Sequence, residues 1–70
     1  MSYKIGKVKN YNGYTGEIIT DKKNYYFTKN DIENNEIIKD NDLVKFKSKT
    51  EDTFPQGYYV KKLNLKLLDK

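Results

Sequence analysis

Short runs that alternate apolar and polar residues, each closed by turn formers, limit this chain more than any other feature. Such runs favour strands, whose side chains point to opposite faces at every step. The first, residues 3–11, sets Ile5 and Val8 against Lys4, Lys7 and Lys9 and ends at Asn12-Gly13, a strong tight-turn dipeptide. The second, 14–20, contains Gly16, which inside a strand marks a bend or the close approach of another backbone. A polar turn follows, and Tyr25, Tyr26, Phe27 and Thr28 then form a third run of strong β-formers. Residues 42–48 alternate Leu43, Val44 and Phe46 with Lys45 and Lys47, and a fifth run begins at Tyr58 and continues through Val60, Leu63, Leu65 and Leu67.

The longest interruption, 29–41, is polar and irregular. Asn30-Asp31 is placed there to cap one helical turn that carries Ile32 inward. Seventy residues close one apolar core, so residues 1–70 form one domain, with 63–70 extending the last strand. The pattern predicts an all-β fold, a small five-stranded antiparallel barrel, because closing the sheet removes exposed edges. Its expected core is Ile5, Val8, Ile18, Tyr25, Phe27, Ile32, Val44, Phe46, Val60 and Leu63.

Cysteine is absent, which removes disulfides and thiolate-bound zinc, and so is histidine, the commonest general base. Ser2 and Ser48 therefore have no histidine to activate them, and no phosphate-cradling loop is present. Asp40-x-Asp42 lacks the glycine and terminal Glu of a calcium loop and reads as turn capping. The chain is expected to be no enzyme and to hold neither cofactor nor metal.

Fourteen lysines against ten carboxylates give a net charge of +4, which points mildly to a polyanionic partner. An AT-rich coding sequence accounts for much of the lysine, asparagine, isoleucine and tyrosine as well. Position says more than the total. Lysines crowd both ends of the sequence, whereas the stretch from Asp31 to Asp42 holds Glu33, Glu36 and Asp40 against Lys39 alone. No charged-then-apolar leader opens the sequence and no run nears the roughly 20 apolar residues of a spanning helix, so a cytoplasmic protein without a membrane partner is expected.

Several segments together resemble the bacterial cold-shock domain family. Gly6-Lys7-Val8-Lys9-Asn10-Tyr11-Asn12 is similar to its opening motif, glycine-x-valine-lysine-tryptophan-phenylalanine-asparagine. Gly13-Tyr14-Thr15-Gly16-Glu17-Ile18 resembles the first ribonucleoprotein motif, and Tyr25-Tyr26-Phe27-Thr28-Lys29-Asn30-Asp31-Ile32 parallels the second. Segments 41–46 and 55–63 fill the last two strands in order. The resemblance implies an OB-type barrel that binds single-stranded RNA or DNA with little sequence preference. Rings on one face would stack on unpaired bases at about 1 to 3 kcal/mol each, while lysines follow the phosphates. It also implies an RNA-chaperone or translation-associated role.

Carried over position by position, the resemblance implies contacts from Lys7, Lys9, Asn10 and Tyr11 on the first segment. Tyr14 or Thr15 stands at the first aromatic of the second, depending on whether Gly13 or Gly16 is aligned, and Tyr26, Thr28 and Lys29 follow on the third. Asn10 replaces the family's tryptophan, Glu17 its second aromatic, and Thr28 and Lys29 its histidine and phenylalanine. Alternation adds Tyr59, outward because Val60 is inward, with Lys61 beside it. Each has a plainer alternative: Tyr26 as half-exposed strand packing, Tyr14 as a cover for the barrel end, Tyr11 as a partly buried ring; Phe54, just before Pro55, is either an exposed wedge for a base or a loop anchor. Phosphate contact from Lys7, Lys9, Lys22, Lys61 and Lys62 would give a log–log salt slope of roughly −3.5. The rival expectation is a barrel that has lost its stacking face and meets a protein partner through Asp31 to Asp42.

Overall fold

The computed structural model describes residues 3–49 and 55–63. Five strands run in chain order, β1 (Lys4–Lys9), β2 (Thr15–Ile19), β3 (Asn24–Thr28), β4 (Leu43–Lys47) and β5 (Tyr58–Lys62). All pair antiparallel in one sheet of order β3-β2-β1-β4-β5. The sheet curls until its two edges approach. There Tyr26 bridges Gln56 in parallel sense, Tyr26 N–H donates to Pro55 O at 2.9 Å and Gly57 N–H to Tyr26 O at 2.7 Å. A second parallel bridge joins Ile32 to Val60. The result is the all-β, strongly curled half-barrel expected of an OB-type arrangement.

Val8, Ile18, Phe27, Val44, Phe46 and Val60 are almost wholly removed from water inside the curl, with Tyr25 and Ile32 close behind. Two of the expected core residues lie elsewhere. Ile5 is 58% exposed, because it stands three residues from Val8 and the pleat therefore turns it to the outer face with Lys7 and Lys9. The inward position between them is Gly6, where a Cβ would come within 2.5 Å of Ile18 Cγ2 and 2.8 Å of Ile19 O, leaving no room for a side chain. Leu63 follows β5 half-buried, while Ile38, in the irregular stretch before β4, completes the core at 5% exposure. The expected Leu65 and Leu67 extension and Phe54 lie outside the described residues.

The connection between β3 and β4 contains two single 3₁₀ turns, Lys29–Asp31 and Glu33–Asn35. Thr28, rather than Asn30, is the cap residue of the first. The Asp31 Oδ2 atom accepts from Thr28 N–H at 2.9 Å, Thr28 Oγ1 at 3.1 Å and Gln56 Nε2 at 3.0 Å, so one carboxylate ties the turn to the closing segment. The other carboxylates of the acidic stretch also have internal partners. Glu36 accepts from Lys62 N–H at 2.7 Å on the outer edge of β5, Asp40 from Tyr11 N–H and Asp42 from Lys39 N–H, both at 2.9 Å. Glu33 Oε1, shielded from water and without a hydrogen bond, lies 4.0 Å from Lys61 Nζ. The acidity of this stretch thus has a structural account: its carboxylates satisfy backbone and lysine donors that an irregular segment leaves open.

Asparagine has a similar account. Asn10, Asn34, Asn35 and Asn41 adopt positive φ, between 53° and 77°, which asparagine tolerates better than most side chains. Tyr59, at φ 54°, is the exception. The register of β5 on β4 passes from Lys61 opposite Lys45 to Tyr58 opposite Lys47, so β5 has one residue more than β4 between those pairs. Tyr59 is the extra residue of this bulge, and its left-handed backbone re-aims the chain there. Among the described residues, no helix is long and apolar enough to cross a membrane.

Candidate functional site

The outward residues of β1, β2 and β3 form a wall whose middle row reads Lys9, Glu17, Tyr26 across the sheet. Tyr26 is 53% exposed while Tyr25 and Phe27 on either side are buried, as the pleat requires. Its strand is flanked on both edges: β2 pairs with it, Glu17 standing opposite Tyr26, while the N–H and C=O of Tyr26 itself bond to Pro55 and Gly57 at the closure. The ring therefore stands on a fixed strand rather than a loose edge. Around its base lies a depression of about 250 Å³ lined by Asn10, Thr15, Gly16, Glu17, Phe27 and Thr28. It is smaller than usual small-molecule pockets.

Tyr14, 73% exposed, sits in the turn that joins β1 to β2. Asn12 builds that turn: its Oδ1 accepts from Tyr14 N–H at 2.9 Å and Thr15 N–H at 3.0 Å, and Gly13 takes φ 96°. The Lys29 N–H donates to Tyr14 O at 2.7 Å, which brings the lysine at the end of β3 beside the turn. Lys7 and Lys9 face outward on β1, and the Lys9 ammonium donates to Asn41 Oδ1 at 2.7 Å.

The remaining candidates divide. Tyr11 is half-buried and stacks on Phe27, with ring centroids 5.2 Å apart and 30° between planes, so one face of its ring is already occupied. Gly16 makes that stack possible, since a Cβ there would lie 2.9 Å from Phe27 Cε1 and 3.0 Å from Tyr11 Cβ. Side chains, not another backbone, approach this glycine. The Thr28 hydroxyl is engaged by Asp31, and Asn10 fits a left-handed backbone at the end of β1 where a bulky side chain such as tryptophan would be strained. Tyr59 is exposed as alternation required, but it stands on β5 and lines a separate hollow with Asn30, Asp31 and Asn34. Lys61 is drawn toward Glu33 and Lys62 toward Asp42, at 4.0 and 3.6 Å.

The structure brings together a group that sequence reasoning missed. Lys45 and Lys47 place their ammonium nitrogens 4.7 and 4.9 Å from the centroid of the Tyr3 ring, and Lys47 also lies 5.8 Å from that of Tyr59. Lys49 stands 4.9 Å from the Tyr58 centroid. The alternation of Lys45 and Lys47 is plain in the sequence, but their meeting with Tyr3 depends on β1 pairing with β4, with Lys4 opposite Phe46 and Ile5 opposite Lys45.

Comparison with protein-family models, with curated proteins and with solved structures gave no match for this chain.

Proposed function

We propose that this protein binds single-stranded nucleic acid, RNA before DNA, with low sequence specificity, on the wall of β1, β2 and β3. The observation that carries this reading is Tyr26: an exposed ring on a strand fixed at both edges, in the same row as Lys9. An unpaired base stacks on such a ring whatever its identity, because every base has a π-face. Tyr14 offers a second ring at the end of the wall, and Lys7, Lys9 and Lys29 supply charge for the phosphates. The cold-shock-like order of the motifs supports the same assignment and an RNA-chaperone or translation-associated role in the cytoplasm. No bond is made or broken in this function.

Glu17 favours the rival reading, a barrel that has exchanged nucleic acid for a protein partner, because it puts a carboxylate in the middle of the row. One titration separates the two. Tyrosine fluorescence, free of tryptophan, is followed as single-stranded RNA or DNA is added at several salt concentrations, with Tyr26→Ala as control. Contact by three wall lysines predicts a log–log slope of about −2 for a single strand. Undetectable binding at low salt, or binding indifferent to salt, would overturn the proposal in favour of the rival.

A further inference from the structure

We infer that the flank formed by Tyr3, β4 and β5 is a second contact surface, which takes the phosphates of the same single strand after it leaves the wall. This rests on the nucleic-acid reading above and extends it to residues that reading does not use. Two lysines converge on one ring: the ammonium nitrogens of Lys45 and Lys47 both lie within 5 Å of the Tyr3 centroid. Like charges gathered in this way repel, and a bound anion relieves that repulsion. Lys49 and Lys61 stand on the neighbouring positions, the first over Tyr58 and the second opposite Lys45. Among the described residues, the carboxylate that approaches this group is Glu33, 4.0 Å from Lys61.

The occupant follows from charge and from the path. Lysine ammonium groups already sit over the rings, so the surface presents cations rather than bare π-faces, and suits a phosphate backbone better than bases. The path from the wall crosses β1. Next to the Tyr26 row lies a hollow of about 550 Å³ lined by Lys7 and Lys9, by Ile5, Ile19 and Leu43, and by the carboxylate-bearing Asp21; it reaches β4 at Leu43, so the phosphates would follow its lysine side. Tyr26 lies in the row of Lys9 and Lys45 in the row of Ile5, so three strand spacings of about 4.8 Å across and four residues of about 3.3 Å along separate them by roughly 20 Å over the curved surface. That span is within the reach of a strand occupying the roughly 4 to 16 nucleotides typical of one OB fold.

The test compares an oligouridylate of about 4 nucleotides with one of about 12, lengths at the lower and middle parts of that range. Four proteins are titrated against both over a series of salt concentrations: wild type, Tyr26→Ala, Lys45→Gln/Lys47→Gln, and the charge-matched Lys23→Gln/Lys39→Gln. With the longer strand, the Lys45/Lys47 variant is expected to lose about 1.4 from the magnitude of the salt slope, two phosphates at about 0.7 each. It should keep wild-type behaviour with the short strand, and the charge-matched variant should keep it with both. An unchanged slope for Lys45→Gln/Lys47→Gln, or an equal loss in the charge-matched variant, overturns the inference. If Tyr26→Ala is silent while the Lys45/Lys47 loss persists, the wall assignment fails and the flank stands. Failure of wild type to bind the longer strand overturns both. Unchanged thermal midpoints across the set confirm that binding, not folding, is being read.

Discussion

The wall and the flank are made of the same two residue types and use them in opposite ways. On the wall, Tyr26 and Tyr14 present uncovered rings and the lysines stand apart from them, one with its ammonium on Asn41. On the flank, Lys45, Lys47 and Lys49 lie over Tyr3 and Tyr58. Neighbouring strands of one sheet thus carry a surface suited to stacking and a surface suited to charge. The difference comes from backbone geometry more than composition. Tyr26 lies between two buried neighbours on a regular strand, whereas Tyr3 immediately precedes β1 and Tyr58 borders the bulge of β5, both within reach of long lysine stems.

The largest effect that would break this contrast is the loss of the wall ring. Tyr26→Ala should weaken single-strand binding by about 1 to 3 kcal/mol, roughly five- to 150-fold, with the salt slope unchanged. An equal loss from Tyr3→Ala would abolish the division of labour. Next comes the support beneath the wall. Gly16→Ala forces a methyl group between Phe27 and Tyr11 and should cost about 1 to 3 kcal/mol of stability in denaturant titration; a neutral result would mean that the Tyr11 stack gives way freely.

The bulge on the flank offers a sharper measurement. Tyr59→Gly should be more stable than Tyr59→Ala by about 1 kcal/mol, the reverse of their order in a regular strand, because glycine alone adopts φ 54° without Cβ strain. Equal midpoints would show that the left-handed backbone relaxes once the ring is gone. The smallest expected effect is at Glu17. Replacing it by Gln should tighten binding by a few-fold, about 0.5 to 1 kcal/mol, by removing a like charge from beside the phosphates. Weaker binding would mean that Glu17 holds Lys9 in a productive place.

Strand alternation made the interior legible wherever it was unbroken: Val8, Ile18, Tyr25 with Phe27, and Val44 with Phe46 all lie where period two puts them. Ile5 is apolar like the core residues but stands an odd number of positions from Val8, and parity, not composition, decides its outward face. Ile38 lies in a segment with no period at all, beside an equally apolar but exposed Ile37, and only the folded path of 36–39 tells them apart. On the candidate site, the outward aim of Tyr26 was readable from its two neighbours. The commitment of Thr28 to Asp31 and Gln56 was not, nor the gathering of lysines on Tyr3, since both need contacts between residues distant in sequence.

The clasp at Asp31 reaches beyond the seam it closes. Tyr26 belongs to the strand that meets residues 55–57, so a guest stacked on its ring grips the barrel where the two sheet edges join. Such a guest would act as a latch, slowing amide exchange at Tyr26 and Gly57 and raising the melting temperature with its concentration. Occupancy of the surface would then be readable from the resilience of the whole molecule.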